Sequence, residues 1–298
     1  MLLGHRKKFC TLISVKLFSI DKIYNARRIA MKNSIGKTKG NGKKQKWVWK
    51  ILLGIVVLLG IIILPVASGN VKAMNRCVDA VLKELEEHYT VTKLDAGEYS
   101  EMKLFGLMKF DVEQYQVEEL GNLSLMRVNM GLMQMATVVI TPQDKNMPLL
   151  SADYMYIMSN RKCYLEFYDV VKEKDDQYMQ LLSNLSEVIG QYEHLENIEV
   201  APAWYQHLLT VTTYKAGKTS MDADLENLLI DNLHTYLEQS QQFPLLGEEE
   251  RAVKQDITLK YTDGLIENGG ISTDVFKKAL GDEETKKFFD QVFFGTTR

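Results

Sequence analysis

The sequence is poor in cysteine and proline, and these shortages exclude several classes of protein. Among 298 residues there are 3 cysteines and 5 prolines. So few cysteines cannot form a disulfide scaffold, and without any CxxC or Cys/His cluster a structural zinc or iron–sulfur site is not expected. The low proline content also excludes a collagen-like or low-complexity chain. Cys77 and Cys163 could pair in an oxidising compartment, but the simpler interpretation is two free or buried thiols.

Neither sign of charge is in clear excess. The chain has 36 Lys and Arg against 39 Asp and Glu, for a formal net charge of -3. A nucleic-acid-binding domain usually shows a basic excess, so we expect no nucleic-acid partner. Because 46% of the residues are hydrophobic, the chain has ample material for a core and is not a disordered polyelectrolyte.

Familiar catalytic signatures are also missing. The sequence contains no GxGxxG, P-loop, GxSxG or HExxH motif. The histidines are not spaced as metal ligands along the chain, and each is interpreted as a surface or core residue: His5, His88, His194, His207 and His234. We therefore expect no metal site and no cofactor that belongs permanently to the protein.

The N-terminal region indicates attachment to a membrane. Residues 1–46 are basic and are expected to form a disordered cytoplasmic tail, and residues 1–30 precede Met31, which is a plausible alternative start. Residues 47–67 are apolar except for Lys50 and reach the length of about 20 residues that crosses a bilayer. This segment is a permanent anchor or a cleaved signal peptide with a small-residue site at residues 66–68, and its length favours the anchor.

Lysines set the expected orientation of this segment. They cluster before it, whereas the basic residues after it are interleaved with acids. The positive-inside rule then places the N-terminus in the cytoplasm and the C-terminal domain outside.

The remaining sequence predicts one α+β domain over residues 70–298. A helical pattern over residues 71–89 is followed by segments with strand character at 110–117, 123–130, 133–140, 149–157 and 164–168. Short connections between them indicate an antiparallel meander. Helical patterns return at residues 178–192 and 225–237, near 247, and at 273–280 and 282–294. Such segregation predicts an antiparallel sheet sandwiched between helices.

Several segments resemble one known family. In TVVITPQDKNMPLLSADYMYIM, Pro142 closes a strand and Pro148 precedes Asp153, and this arrangement resembles a signature of the ferredoxin-dependent bilin reductases. The segment from Pro202 to Trp204 resembles the family's P-x-W element, and LHTYLEQSQQFP stands where the family has another helix. The segment KKALGDEETKKFFDQVFF resembles its closing helix. In order, these elements span roughly residues 100–298, and the family's α/β/α sandwich agrees with the predicted fold.

The resemblance implies a ligand and a site. The family reduces linear tetrapyrroles with single electrons from ferredoxin and protons from side chains, without a metal or flavin, because the substrate itself is redox-active. Its catalytic carboxylate and histidine lie on central strands, but residues 133–140 here read MQMATVVI. We therefore expect a membrane-anchored, reductase-like domain that binds a linear tetrapyrrole or a similar conjugated ligand. The alternatives are an active reductase with an external one-electron donor, ferredoxin-like if the domain is cytoplasmic, and a structural or interaction domain on the same fold.

Strand alternation selects the candidate ligand-binding residues. Along residues 133–140, Thr137 and Gln134 lie on opposite faces of the sheet. We expect one face to meet the N-terminal helix and the other to meet the helices of residues 222–294 across a ligand cleft. Thr137 is assigned to the cleft, with Arg127 or Asn129 beside it and Asp153 at its rim. No residue is assigned a catalytic role.

Overall fold

The computed structural model describes residues 42–297. They fall into two units that divide between Leu59 and Gly60. Helix α1, Gly42–His88, contains the apolar segment of residues 47–67. Within residues 42–297, no helix combines the length and the apolar character needed to cross a membrane. Residues 1–41 of the predicted disordered tail lie outside the described residues, whereas residues 42–46 of that tail are helical and belong to α1.

The described chain contains a nine-stranded sheet in which all neighbouring strands are antiparallel. Its strands are β1 Val91–Leu94, β2 Glu101–Leu104, β3 Met108–Val117, β4 Gly121–Asn129, β5 Met133–Pro142, β6 Leu149–Ile157, β7 Asn160–Tyr168, β8 Glu196–Asn197 and β9 Leu209–Lys218. Their spatial order is β1-β3-β4-β5-β6-β7-β9-β8, with β2 also paired to β3. The centre of the sheet is therefore a meander of consecutive hairpins.

Helices follow the meander along the chain. They are α2 Asp176–Gly190, α3 Asp222–Ser240, α4 Glu248–Asn268, α5 Ile271–Leu280 and α6 Asp282–Phe288, and a π-helical turn, Phe289–Phe293, follows α6. Local signals set several of these boundaries. Asp175 caps α2 by accepting a hydrogen bond from the Tyr178 backbone N–H, and the acidic residues at the start of α4 favour a helix N-terminus.

Two separate cores cover the two faces of the sheet. We name the first face, which carries Leu125, Val138 and Leu165, the sealed face. It packs against α1 (from Ala73 onward), α2 and α3. We name the second the open face; at its β3–β5 end it packs against an aromatic cluster from α4, α5, α6 and the π-helical turn. Both layers cover the sheet because strand alternation gives each face its own apolar residues.

The predicted antiparallel α+β sandwich is confirmed in its fold class. One part of the layer assignment is wrong: the helix expected over residues 225–237 is α3, and it packs on the sealed face beside α1 rather than over the cleft. Of the α-helices named above, those that cover the open face all follow residue 247, and the segment with Trp204 and Tyr205 packs beside them. Cys77 and Cys163 are both buried as free thiols on the sealed side, and burial raises the pKa of each to about 12.

Candidate functional site

The open face is half-exposed over strands β5 to β9. Strand pairing aligns Thr137, Asp153, Tyr164 and Tyr214 in one row across four strands. Apart from Thr137, which is buried, these side chains are half-buried, whereas the intervening residues on β7 that point to the sealed face are buried. The row therefore places polar and aromatic groups on the sheet surface that faces the C-terminal helices.

Asp153 is the central titratable group of this row. The Thr137 hydroxyl donates a hydrogen bond of 2.5 Å to the Asp153 Oδ1 atom. Burial raises the pKa of the Asp153 carboxyl from 3.8 to about 6; the Thr137 hydrogen bond opposes this rise, and the negative charge of Glu166 adds to it. Asp153 can therefore exchange a proton close to neutral pH, unlike an ordinary surface carboxylate.

Glu166 lies in the next row of the same face and anchors two tyrosines. It pairs in register with Ser151, so it is a diagonal neighbour of Asp153. The Tyr214 hydroxyl donates to Glu166 Oε1 at 2.7 Å, and the Tyr168 hydroxyl donates to Glu166 Oε2. These bonds fix the tyrosines, and burial raises the pKa of both hydroxyls. Both tyrosines therefore stay protonated at neutral pH.

An aromatic wall bounds the open face. The ring of Tyr168 lies 5.7 Å from that of Tyr205 and 5.0 Å from that of Tyr261, measured between ring centroids. Trp204 packs edge-on against Tyr205 at 5.4 Å, and its Nε1 atom donates to the Gly269 carbonyl at 2.8 Å. The segment before β9 is thus bound to α4, and its rings form a surface suited to stacking against a flat conjugated molecule.

A cavity of about 440 Å³ lies at the edge of the sheet, between α2 and β9. Thr212 and Tyr214 of the open face line it, together with Glu193, Asn197 and Lys215. Because α2 packs on the sealed face and lines this cavity, the cavity lies at the edge of the sheet on the α2 side of β9 and not over the Asp153 row.

The candidate residues divide between the two faces. Thr137 and Asp153 lie together on the open face, as expected. The placement of Arg127 and Asn129 beside Thr137 is wrong, because Arg127 pairs with Ala136 and Asn129 with Gln134, which puts both on the sealed face. A polar residue one position off in register projects to the opposite side of the sheet.

These sealed-face residues have structural partners. Arg127 donates to Glu113 of the neighbouring strand and lies 3.3 Å from Asp79 of α1. The Gln134 Nε2 atom donates to the Gly131 carbonyl at 2.7 Å and to Asn129 Oδ1 at 3.3 Å, while Gln134 Oε1 has no hydrogen-bond partner among the described residues. Asn129 and Gln134 thus close the β4–β5 turn, and their assignment to ligand binding stays a prediction.

Glu166, Tyr164 and Tyr214 were missed in the sequence. Their signal was available, because Tyr164, Glu166 and Tyr168 alternate along one strand and must share a face. The two-residue hairpin turn at Met158 and Ser159 also fixes the register that sets Tyr164 opposite Asp153. Tyr214 required the pairing of β7 with β9, which are separated by α2 and β8 along the chain.

Comparisons with known proteins give one informative result. No family model matches the chain, and no curated protein matches it. Among solved structures, the chain is similar to SeMet-phytochromobilin synthase from tomato in complex with biliverdin, with a TM-score of 0.61 and 12% identity. The match covers 75% of this chain and 84% of the synthase chain. At this identity the likeness establishes a shared fold, that of a ferredoxin-dependent bilin reductase.

Proposed function

We propose that the open face binds a linear tetrapyrrole or a similar conjugated ligand. The observation that carries the proposal is the row of Thr137, Asp153, Tyr164 and Tyr214 on a half-exposed sheet face, bounded by aromatic rings. The fold shared with a protein whose structure contains biliverdin supports the same ligand class.

The chemistry of the face suits such a ligand. The pyrrole N–H groups of a linear tetrapyrrole are hydrogen-bond donors, and Asp153 and Glu166 present carboxylate oxygens as acceptors on the same surface. The conjugated rings stack favourably on aromatic side chains such as Tyr164 and Tyr205. Lys162 lies two residues before Tyr164 on β7 and so shares its face, where it can pair with an acidic substituent of the ligand.

An absorbance titration of the full chain with biliverdin tests this proposal. We expect a saturable red-region spectral change, and at least a tenfold weaker dissociation constant for Asp153→Asn. Asp256→Asn is the matched control, because Asp256 is an exposed carboxylate on α4 that pairs with Lys260. Titrations without a spectral change, or equal affinities for the wild type and Asp153→Asn, would contradict binding at the open face.

Catalysis is the second candidate function, and the raised pKa of Asp153 favours it. Reduction of one double bond of the ligand requires two electrons, supplied singly by an external one-electron donor, and two protons. A carboxyl with a pKa of about 6 that faces the ligand surface can supply one of these protons at neutral pH. Donor-dependent bleaching of bound biliverdin, at least a hundredfold slower in Asp153→Asn, would support a reductase. Binding without bleaching would leave the binding function alone.

We also propose that the protein is attached to a membrane through residues 47–67, with its C-terminal domain outside. The apolar sequence supports this attachment, and Trp47, Trp49 and Leu53 are exposed by more than half of their surface. The full chain should require detergent for extraction, and a chain without residues 1–69 should not. Protease added to intact cells should degrade the C-terminal domain; complete protection would reverse the proposed orientation.

A further inference from the structure

A second cluster of chemistry-bearing side chains lies far from the open face, where α1 meets α3. Glu84 and His88 are one turn apart on α1, and His234 of α3 approaches both. The His234 Nδ1 atom lies 2.7 Å from Glu84 Oε1, and the His88 Nε2 atom lies 3.3 Å from the same oxygen. One nitrogen from each imidazole and one carboxylate oxygen all lie within 4.8 Å of one another.

These separations are close to those between neighbouring metal ligands. Nitrogen and oxygen ligands bind Zn²⁺ at about 2.0–2.2 Å, which sets neighbouring donors of a tetrahedral site roughly 3.3–3.5 Å apart. Small side-chain rotations of His234, whose side chain is 55% exposed, bring the cluster to that spacing. Glu84 and His88 are more buried, so α1 and α3 hold them in place.

A neighbouring carboxylate completes the arrangement. The outer nitrogen of His234, Nε2, lies 3.9 Å from Glu238 Oε2, one turn further along α3. Metal-bound histidines commonly donate their other N–H to such a carboxylate, which orients the ring and increases its basicity. Glu84, Glu238 and Asp231 also make the surroundings of His234 negative. This negative charge favours the binding of a cation at the cluster.

We propose that Glu84, His88 and His234 form a binding site for a divalent transition-metal ion, with zinc as the ion that the ligand set fits best. Two imidazoles and one carboxylate give three protein ligands and leave a further position for water. Oxygen-seeking ions such as Mg²⁺ and Ca²⁺ do not match nitrogen ligands. The ion would link α1 to α3 on the outside of the sealed core. This site is independent of the proposed ligand on the open face.

The sequence carries part of this signal. Glu84 and His88 are four residues apart, as are His234 and Glu238, so each pair lies on one face of its helix. The histidines themselves are 146 positions apart, and their meeting depends on how α1 and α3 pack. The expectation that no histidines act as metal ligands rested on spacing along the chain alone.

Zinc competition against a chromophoric chelator tests the site on the untagged full chain, after removal of bound metal. We expect micromolar or tighter binding of one Zn²⁺, and intense visible absorption when Co²⁺ occupies the site in place of zinc. His88→Gln and His234→Gln should each weaken Zn²⁺ binding at least tenfold. Mg²⁺ and Ca²⁺ should not compete.

His194→Gln is the matched control, because His194 is also exposed and also lies near a carboxylate, 3.8 Å from Asp224. It should leave zinc affinity within twofold of the wild type. Thermal unfolding of each metal-free variant checks folding, and the exposed His234→Gln decides the result if His88→Gln is unstable. Millimolar zinc binding in the wild type, or equal affinity in the wild type and His234→Gln, would overturn the proposal.

Discussion

The sheet presents two faces that differ in how completely they are covered. On the sealed face, Leu125, Leu165 and Phe167 have no exposed surface, and the cavity between α1, α3 and β6 measures about 10 Å³. That volume holds at most one water molecule. On the open face, Asp153, Tyr164 and Glu166 keep part of their surface accessible.

This difference indicates that the two faces of the sheet have different roles. Apolar burial on the sealed face supplies stability, since each fully buried large side chain contributes about 1.5–3 kcal/mol. The open face instead retains polar groups that cost stability, because a carboxyl held away from water is disfavoured in its charged form. Groups that reduce stability persist where they serve binding or catalysis.

Shortening a buried side chain of the sealed face should cause the largest loss of stability. Phe167 is fully buried and packs against Tyr236 with ring centroids 5.9 Å apart. Phe167→Ala leaves a cavity there, so we expect the free energy of unfolding to fall by about 3–5 kcal/mol. Urea denaturation followed by circular dichroism measures it. Met155→Ala, on the open face, is the matched comparison and should lower the free energy of unfolding by less than half as much. Equal losses in the two variants would contradict the distinction between the faces.

Neutralising Asp153 should instead increase the free energy of unfolding. Its pKa is higher in the folded protein, about 6, than the ordinary 3.8, so folding takes up a proton between these values. The contribution of Asp153 to stability should therefore fall as the pH rises from about 4 to 6 in the wild type. Asp153→Asn should remove this fall and gain about 2–3 kcal/mol at pH 7. Urea midpoints at several pH values measure the change.

The control for that experiment is Asp256→Asn, which alters an exposed carboxylate on α4. It should preserve the decline in stability between pH 4 and 6. If Asp153→Asn declines in the same way as the wild type, burial does not hold Asp153 in its protonated form, and the open face loses its distinguishing group.

The smallest expected effect concerns the aromatic wall. A Cβ atom at Gly264 of α4 would lie 2.4 Å from the Trp204 ring, which is too close for any side chain. Gly264→Ala should displace Trp204, and the overpacking should outweigh the gain in helix propensity, for a net loss of about 1–2 kcal/mol. Gly190→Ala, where no atom lies within 4 Å, is the control. If Gly264→Ala instead stabilises the protein, the Trp204 ring can move away from α4 at little cost, which would contradict this prediction.

Local patterns predicted most of the architecture. The strand at 149–157 coincides with β6, and the alternation at 133–140 correctly separated Thr137 from Gln134. The short strands β1 and β2 were missed, because each has only four residues at the edge of the sheet and β1 lacks a clear alternation of buried residues.

The site was harder to predict than the fold. Asp153 and Thr137 meet because they are directly paired on adjacent strands, which a hairpin register can reveal. The position of Arg127 depended on one residue of register, and an error of one position reverses the face. Likewise, His88 and His234 meet only through the packing of α1 on α3, which no local pattern encodes.

The segregation of the two helical layers along the chain has a consequence for synthesis. The sheet and the helices of the sealed face end by Ser240, and the sealed core ends at Phe243, whereas the helices that cover the open face begin at Glu248. A ribosome delivers the chain from the N-terminus, and early segments can fold first. The sealed half can therefore assemble before the last helices are delivered, while Phe110, Val112 and Met126 still face water. For that interval the nascent protein exposes an apolar sheet surface, on which a chaperone could act before the last helices emerge.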